Sequence, residues 1–234
     1  MLNAVIFDVG GTLGHGFGRF ERIHEEIIAE RPALRKFLNK ILEQFRATRA
    51  RDLVTLEQHT FTEVFLAVAN EQQPATSGAH LWELHDRIVN MHMESSELFP
   101  ETVGVLETLR TMGLGMGIIS NVSFPGRYYE RTLANWRIRQ YFSVQVWSSE
   151  EKMRKPHGEI FHRALDAMGV APEHALYVGD TVDRDVVGAK RARIPVVLVD
   201  RKGRHAPGKG VQPDWVIPDL RGLIPIVASL REEP

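Results

Sequence analysis

Short apolar runs that stop abruptly at polar or glycine residues are the feature that most restricts the fold of this chain. Most of these runs show no alternation of apolar and polar residues, so we expect strands that are buried on both faces. The predicted strands cover residues 4–7, 117–119, 144–147, 175–178 and 195–199, with a weaker candidate at 214–217.

Helical segments separate consecutive predicted strands or follow the last one. The predicted helices cover residues 101–112, 125–136, 157–168, 185–193 and 220–230. Strands that alternate with helices in this way form β-α-β units, whose strands pair in parallel. We therefore predict an α/β fold with a doubly wound, Rossmann-like parallel sheet.

The stretch after the first predicted strand contains no strand-like run and shows helical periodicity instead. Apolar residues recur at the spacing of one helix face at Leu34, Phe37, Leu38, Ile41, Leu42 and Phe45. Shorter faces of the same kind follow at 61–68 and 81–91, and a polar loop at 71–78 separates them. We therefore predict a helical insert at 15–94 and a sheet domain formed by 1–14 and 95–234.

The composition argues against several classes of protein and partner. The chain has 29 Lys and Arg against 30 Asp and Glu, so we expect no general attraction to nucleic acid or anionic membranes. It has no cysteine, which excludes disulfides and thiolate chemistry and favours a cytoplasmic location. No apolar run approaches the roughly 18 residues that span a bilayer, so we expect no membrane segment. None of these features indicates an oligomeric state.

Chemically reactive residues lie where several of the predicted strands end. In open α/β sheets, ligands bind at the carboxyl ends of the strands. The residues at or near these ends are Asp8, Ser120, Asn121, Lys155, Asp180 and Asp185. Several carboxylates at one edge would repel one another unless a cation lay among them, and oxygen ligands suit Mg²⁺. The pattern therefore predicts a magnesium site at this edge of the sheet.

Each of these residues also has a structural interpretation when it is taken alone. Asp8 could cap a turn, and an isolated Lys155 would be a solvated surface residue. Pro156 is expected to start the following helix and to bias Lys155 towards an extended backbone. The convergence of acids, a hydroxyl and an ammonium on one edge favours the functional interpretation.

Taken in order along the chain, these segments resemble the motifs of the haloacid dehalogenase-like (HAD) superfamily, which consists mostly of phosphatases. The matching segments are Asp8 with Gly11-Thr12-Leu13, Ser120-Asn121, Lys155-Pro156, and Gly179-Asp180 with Asp185 and Gly188-Ala189. Each motif is short, but a chance match of all of them in order is improbable. The resemblance covers nearly the whole chain, and the helical insert is similar to the family's small helical cap of the first type.

The resemblance implies that the protein is a Mg²⁺-dependent phosphatase that acts on a small phosphorylated metabolite. Asp8 would attack phosphorus and form an aspartyl-phosphate. The Asp8 carboxylate, the main-chain carbonyl of Gly10 and Asp180 would bind Mg²⁺, and Asp185 would support them.

The resemblance also assigns the groups around the phosphate. Ser120 would donate to a transferring phosphoryl oxygen, and Lys155 would neutralise charge and orient Asp8. Asn121 would contribute through its backbone. The implied phosphate-binding set is Val9, Gly10, Ser120, Asn121 and Lys155.

One position departs from the family pattern. The phosphatases usually carry a second aspartate two residues after the nucleophile, where it protonates the leaving group and later activates water, but this chain has Gly10. Such acid/base catalysis contributes roughly 10²- to 10⁴-fold, so a slow phosphatase, a narrow substrate range or an inactive phosphate- and metal-binding protein are the alternatives. Gly10 could instead serve a backbone with positive φ or the close approach of a ligand. His15, in the glycine-rich segment 14–18, is a candidate substitute, although a surface histidine is the simpler interpretation.

Two other branches of the superfamily also lack the second aspartate. The branch that cleaves carbon-halogen bonds uses no Mg²⁺ and lacks the acidic fourth motif, which would leave Asp180 unexplained. The branch that hydrolyses phosphonoacetaldehyde keeps the metal but needs a cap lysine for a Schiff base. Lys36 and Lys40 are the only lysines in the insert, and their spacing is that of ordinary solvated helix residues. Phosphate ester hydrolysis is therefore the favoured interpretation.

Overall fold

The computed structural model describes residues 1–17, 19–74 and 77–232, and its centre is a six-stranded parallel sheet. The strands are β1 (Ala4–Phe7), β2 (Gly14–His15), β3 (Glu97–Leu98), β4 (Gly115–Ser120), β5 (Val144–Trp147), β6 (Ala175–Gly179), β7 (Val196–Val199) and β8 (Trp215–Ile217). The main sheet has the order β5-β4-β1-β6-β7-β8, while β2 and β3 form a separate antiparallel pair. The predicted α/β class with a parallel, Rossmann-like sheet is confirmed.

Helices connect the strands and also fill the insert. They are α1 (Phe20–Glu30), α2 (Arg35–Thr55), α3 (Phe61–Gln72), α4 (Gly78–Glu94), α5 (Thr102–Thr111), α6 (Gly126–Asn135), α7 (Ser148–Glu151), α8 (Gly158–Met168), α9 (Val187–Arg191) and α10 (Leu223–Glu232). A π-helical turn at Val182–Val186 precedes α9, and a 3-10 turn at Leu220–Gly222 precedes α10. Within the described ranges, no helix is both long and apolar enough to cross a bilayer.

The central strands are buried on both faces, as the absence of alternation predicted. Val5 and Phe7 of β1 belong to one apolar cluster, which also contains residues of α5, α6 and α10. Ile6 belongs to a second cluster on the opposite face, together with residues of α8 and α9. Because successive side chains of a strand point to opposite faces, these two clusters place a helical layer on each side of the sheet.

The insert contains the helices α1 to α4, which lie between β2 and β3 along the chain. The predicted stripe lies on α2, where Phe37, Leu38, Ile41 and Phe45 are buried and Leu34 and Leu42 pack against them. Helix α1 carries a similar buried face that the sequence analysis did not include. The division of the chain into domains at 14/15 and 94/95 stays a prediction.

Phe124, in the loop after β4, attaches the insert to the sheet domain. Its ring centroid lies 5.4 Å from that of Phe20, 5.5 Å from that of Phe61 and 4.8 Å from that of His92, which belong to α1, α3 and α4. The Phe61 amide also donates to the Ser123 carbonyl at 2.7 Å. These contacts hold the helical insert over the carboxyl end of β4.

All five predicted helices begin one to three residues later than expected, and two of these shifts involve residues of the candidate site. Pro156 does not start α8, which begins at Gly158 after His157 accepts a hydrogen bond from the Glu159 amide at 3.3 Å. The Lys155-Pro156 peptide bond in the preceding turn is cis. Asp185 lies in the π-helical turn before α9 and not in that helix, and its carboxylate accepts a hydrogen bond from the Thr181 amide at 3.0 Å.

Candidate active site

The predicted reactive residues converge at the carboxyl ends of three adjacent strands. Asp8 follows β1, Ser120 ends β4 and Asp180 follows β6, and β1 lies between β4 and β6 in the sheet. These residues line a cavity of about 340 Å³ that also reaches side chains of the helical insert. The topological prediction that these strand ends meet is therefore confirmed.

Lys155 is the cation at the centre of the site. The turn between α7 and α8 inserts its ammonium group, which is only 2% exposed. Nζ donates to Oδ1 of Asp8 at 2.8 Å, to Oδ1 of Asp185 at 2.6 Å and to the Ile119 carbonyl at 3.0 Å. Burial opposes the charged form, but the two aspartates raise the pKa of Lys155 above its usual value. The lysine is therefore charged while it holds both carboxylates in place.

Asp8 is held through one of its two carboxylate oxygens. Its Oδ1 accepts a hydrogen bond from Oγ of Ser120 at 2.9 Å as well as the bond from Lys155. Burial raises the pKa of Asp8, and the nearby Lys155 partly opposes this shift. A carboxylate fixed in this way presents its second oxygen towards the cavity in a defined direction, as an attacking group requires.

Asp185 is an acid whose hydrogen-bonding capacity is already used by the protein. Its Oδ1 accepts from Lys155 and from the Tyr177 hydroxyl at 3.0 Å, and its Oδ2 accepts from the Asp180 amide and from Thr181. Burial alone would raise the pKa of Asp185, but Lys155 and Thr181 hold it below its usual value. Asp185 therefore suits a supporting position better than direct contact with a metal ion.

Asp180 lies opposite Asp8 and receives no hydrogen bond to its carboxylate from the part of the chain that the structure describes. Oxygen atoms of Asp8, Asp180 and Asp185 lie within 4.8 Å of one another. Burial, followed by the charges of Asp8 and Asp185, raises the pKa of Asp180 to about 7. A divalent cation would relieve this repulsion, so the donor set fits Mg²⁺.

The turn after Asp8 leaves room for this carboxylate. A Cβ atom at Gly11, where φ is +90°, would lie 2.1 Å from Oδ2 of Asp180. Arg201, which follows β7, donates to the carbonyl of Gly11 at 3.2 Å and to that of Thr12 at 3.1 Å. The backbone of this turn therefore packs closely against the Asp180 carboxylate. The Arg201 guanidinium group, from the turn after β7, stabilises the backbone in that position.

Of the two structural interpretations of Gly10, the positive-φ backbone is wrong, and the close approach of a ligand stays a prediction. The positive φ belongs to Gly11, and a Cβ atom at Gly10 would make only an ordinary contact, 3.6 Å from Cδ2 of Phe17. Gly10 and Val9 both line the cavity, and their contribution to phosphate binding stays a prediction. The backbone at position 10 therefore does not require glycine.

Asn121 also lines the cavity, but its side chain has a structural role. It accepts a hydrogen bond from the Lys155 amide at 2.8 Å and donates to the Lys155 carbonyl at 3.0 Å. This pair of bonds fixes the backbone that carries the ammonium group. The predicted contribution of Asn121 to phosphate binding through its own backbone stays a prediction.

Several residues of the site were not found from the sequence. Tyr177, in the middle of β6, contacts Nζ of Lys155 through its hydroxyl at 2.7 Å. A tyrosine inside a buried strand needs a hydrogen-bond partner, and this was the available signal. No motif marked the other cavity residues, which include Phe17, Phe20, Arg49, His92, Tyr129 and Arg184.

The alternative candidates occupy different places. His15 lines the cavity with a side chain that is 45% exposed, and its Nε2 lies 3.8 Å from Oε2 of Glu97. Lys36 is exposed, and Lys40 pairs with Glu43 at 3.6 Å. Neither lysine lines the cavity among the described residues, so neither is placed to form a Schiff base there.

Comparisons with known proteins agree with this arrangement. Residues 2–193 match the family model of haloacid dehalogenase-like hydrolases. Glyceraldehyde 3-phosphate phosphatase from Methanopyrus kandleri is 27% identical over 246 residues, with 100% of both chains covered. The structure of 2-haloacid dehalogenase from Pseudomonas syringae pv. Tomato has a TM-score of 0.76 at 21% identity, covering 98% of this chain and 99% of that one. A HAD phosphatase from Thermococcus onnurineus has a TM-score of 0.66 at 22% identity, covering 97% and 98%. These structural likenesses show the fold.

Proposed function

Since this chain belongs to the family of haloacid dehalogenase-like hydrolases, we propose that it is a Mg²⁺-dependent phosphatase that forms a phospho-aspartate at Asp8. The observation that carries this proposal is the arrangement around one oxygen of Asp8. Ser120 and Lys155 both donate to its Oδ1, while the carboxylate of Asp180 faces the same cavity. This arrangement supports nucleophilic attack by the other oxygen of Asp8.

Asp8 and Asp180 would hold Mg²⁺, together with the carbonyl of Gly10. When bound, the ion would supply positive charge that reduces the repulsion between the Asp8 carboxylate and the incoming phosphate. Asp185 would act through its neighbours, because its oxygens already accept bonds from Lys155, Tyr177 and the Asp180 and Thr181 backbone.

The first half of the reaction follows from these positions. The free oxygen of Asp8 attacks phosphorus, and the bond between phosphorus and the leaving oxygen breaks. Lys155 keeps its proton throughout and stabilises the negative charge that gathers at the phosphoryl group. Ser120 turns its hydroxyl from Asp8 towards a transferring phosphoryl oxygen, and the amides after β1 and β4 bind the others.

The helical insert would act as a cap over this site. Residues 15–94 form the proposed cap domain, and residues 1–14 and 95–234 form the proposed catalytic core. Phe20 and His92 from the insert line the same cavity as Asp8, which supports closure of the cap over a bound substrate. Closure excludes water from the site and strengthens its electrostatic interactions.

The substrate would be a small phosphorylated metabolite, as the name of the Methanopyrus relative suggests for that protein. Carbon-halogen cleavage is less well supported because Asp180 faces the cavity beside Asp8, and carbon-phosphorus cleavage lacks a cavity lysine from the insert. A protein that binds phosphate and metal without turnover is the remaining alternative. The cytoplasmic location stays a prediction.

The experiment that tests the proposal measures hydrolysis of p-nitrophenyl phosphate with Mg²⁺ and with EDTA. We expect hydrolysis that requires Mg²⁺ in the parent and none in Asp8→Asn, because an amide is a poor nucleophile. Asn39→Asp, an exposed change on α2 outside the cavity, serves as a control and should retain activity. Equal rates in Asp8→Asn and the parent would remove Asp8 from the mechanism, and a folded parent that binds Mg²⁺ without turnover would favour the binding protein.

A further inference from the structure

An aromatic ring lies over the position where the usual acid/base side chain is missing. A Cβ atom at Gly10 would face Cδ2 of Phe17 at 3.6 Å and no other atom of the described residues within 4 Å, apart from its chain neighbours. The Phe17 ring centroid lies 5.8 Å from that of Trp136 and 6.1 Å from that of Tyr129. Phe17 and Tyr129 both line the cavity. At position 10 the cavity therefore presents aromatic rings, while the other carboxyl groups that line it, those of Asp180 and Asp185, belong to the proposed metal site.

Two imidazoles also line the cavity, and each is a candidate replacement for that acid. Burial, followed by the charge of Arg49, lowers the pKa of His92 to about 4, so its ring is neutral at physiological pH. A neutral imidazole is a very weak proton donor. His15 is nearly half exposed and lies beside Glu97 at the mouth of the cavity. Of the two imidazoles, His15 is therefore the one that an experiment must test as a proton donor.

The absence of an acid limits which phosphorus-oxygen bonds can break quickly. When Asp8 attacks phosphorus, the electron pair of the breaking bond goes to the leaving oxygen. An alkoxide is strongly basic and leaves slowly unless it receives a proton, whereas a phenoxide or a carboxylate leaves without one. General acid catalysis accounts for roughly 10²- to 10⁴-fold at such a step.

We propose that the natural substrate has a weakly basic leaving oxygen, as an aryl phosphate or an acyl phosphate does. This inference rests on the proposed phosphatase function and narrows its substrate class. In the first step, the Asp8 oxygen bonds to phosphorus and the leaving group departs as an aryloxide or carboxylate without a proton. In the second step, water attacks phosphorus, the bond to Asp8 breaks, and orthophosphate leaves while the water's proton passes to solvent.

The aromatic rings near Gly10, those of Phe17, Tyr129 and Trp136, should distinguish between aryl phosphates and acyl phosphates as substrates. The faces and edges of aromatic rings bind another ring favourably through offset or edge-on packing. Phe17 and Tyr129 would therefore contact the ring of an aryl phosphate but gain little from a small acyl phosphate. A preference for the aryl ester would identify these aromatic rings as part of the recognition site.

The test is a comparison of kcat/KM across leaving groups in the parent protein with Mg²⁺, because kcat/KM reports the steps up to departure of the leaving group. The substrates are p-nitrophenyl phosphate, phenyl phosphate, acetyl phosphate, glycerol 3-phosphate and glyceraldehyde 3-phosphate. We expect the two alkyl phosphates to be slower than p-nitrophenyl phosphate by about 10²-fold or more. Alkyl phosphates that react as fast as p-nitrophenyl phosphate would overturn the inference and leave the phosphatase function intact.

A matched pair of variants tests the cause of this selectivity. Gly10→Asp restores an acid, and Gly10→Asn adds a side chain of nearly the same size that cannot act as one. We expect Gly10→Asp to reduce the ratio of kcat/KM for p-nitrophenyl phosphate to kcat/KM for the alkyl phosphates by about 10-fold or more. Gly10→Asn should leave this ratio as large as in the parent. An equal effect of both variants would contradict the missing-acid explanation, and the leaving-group series in the parent decides the inference if either variant fails to fold.

The variant His15→Gln tests whether His15 donates a proton to the leaving group. If the parent cleaves alkyl phosphates quickly and His15→Gln slows them while p-nitrophenyl phosphate is affected less, His15 supplies the proton and the inference is overturned. If His15→Gln lowers kcat/KM by the same factor for all substrates, or for none of them, the leaving-group series in the parent decides the inference. Failure of every substrate, including p-nitrophenyl phosphate, would overturn the phosphatase function and the inference with it.

Discussion

Gly10 and Gly11 lie side by side in the turn after Asp8, but a side chain would have different consequences at each position. At Gly11, φ is +90° and an added Cβ atom would lie 2.1 Å from the Asp180 carboxylate. At Gly10, the nearest atom would be 3.6 Å away. Gly10 is therefore replaceable on steric grounds, and Gly11 is not.

We expect Gly11→Ala to lower the free energy of unfolding by at least about 1 kcal/mol, because the backbone is strained for an L side chain and Asp180 must move. Mg²⁺ binding should weaken for the same reason. Gly10→Ala is the matched control and should stay near the parent in both properties. Thermal unfolding and Mg²⁺ titration would check this, and equal effects of the two variants would contradict the assigned geometry of the turn.

Phe124 links two structural elements, the loop after β4 and the helical insert. It is fully buried between Phe20, Phe61 and His92. Truncation of a buried phenylalanine costs about 3–5 kcal/mol. Because these partners belong to the insert, truncation of Phe124 should mainly weaken the attachment of the insert to the sheet.

We therefore expect Phe124→Ala to accelerate amide exchange in α1 and α3 more than in β1. Phe161→Ala is the control, since Phe161 is equally buried but packs on Tyr177 at the opposite face of the sheet, with ring centroids 5.0 Å apart. It should lose comparable stability without a selective effect on the insert. The same exchange pattern in both variants would show that Phe124 does not attach the insert.

At the level of elements, the sequence predicted the sheet better than the helix boundaries. The run 4–7 matches β1 residue by residue, because this strand is buried and apolar at all four positions and ends where Asp8 begins the site. The run 144–147 also matches β5, although Gln145 is polar and the first two residues of this edge strand are only half-buried. Helix α9 was predicted to begin at Asp185 but begins at Val187, because a π-helical turn at Val182–Val186 precedes it. In this turn the Asp185 carboxylate accepts a hydrogen bond from the Thr181 amide. The two-residue strands β2 and β3 are too short to give any periodic signal.

Helix α1 shows a limit of a different kind. Its buried residues Phe20, Ile23, Ile27 and Ile28 follow helical spacing, so its buried face can be recognised in the sequence. The cavity residues from the insert have no such signal. Arg49 is exposed on the surface of its helix, and only the packing of the insert over the sheet brings it to the cavity.

At the scale of the whole molecule, acids from separate parts of the chain are brought together at a cost that a cation would offset. Asp8 and Asp180 are separated by most of the chain, yet their oxygens lie within 4.8 Å of each other. A ligand that binds only the folded state stabilises it by about 2.7 kcal/mol when its concentration is about 100 times its Kd. Mg²⁺ should therefore raise the melting temperature of the protein.

Asp180→Asn tests this electrostatic balance. At a pH well above the raised pKa of about 7, where the parent's Asp180 is ionised, the amide removes one negative charge. We then expect a higher melting temperature than that of the parent in EDTA and a smaller increase on addition of Mg²⁺. Asp183→Asn, whose side chain is 80% exposed, is the nearby control and should keep the parent's response to Mg²⁺. Scanning calorimetry in both conditions measures the effect, and an undiminished Mg²⁺ response in Asp180→Asn would exclude Asp180 as a ligand.

The sequence motifs predicted the charged centre of the site because they follow the strand ends directly. The sequence did not predict Tyr177, inside β6, or Arg201, in the turn after β7, because their contacts with the site exist only in three dimensions. The same holds for Phe17, which reaches Gly10 across the glycine-rich segment. The chemistry could therefore be located from the sequence, whereas the surroundings that select a substrate could not.

The most direct test of the account is mass spectrometry of the protein after acid quench during turnover of p-nitrophenyl phosphate with Mg²⁺. Without an acid/base group at position 10 to activate water, the phosphorylated enzyme should accumulate. We predict that a peptide containing Asp8 gains the mass of one phosphoryl group at that residue, and that Asp8→Asn shows no such gain. Continued hydrolysis with Asp8 unmodified at every time of quench would contradict the account.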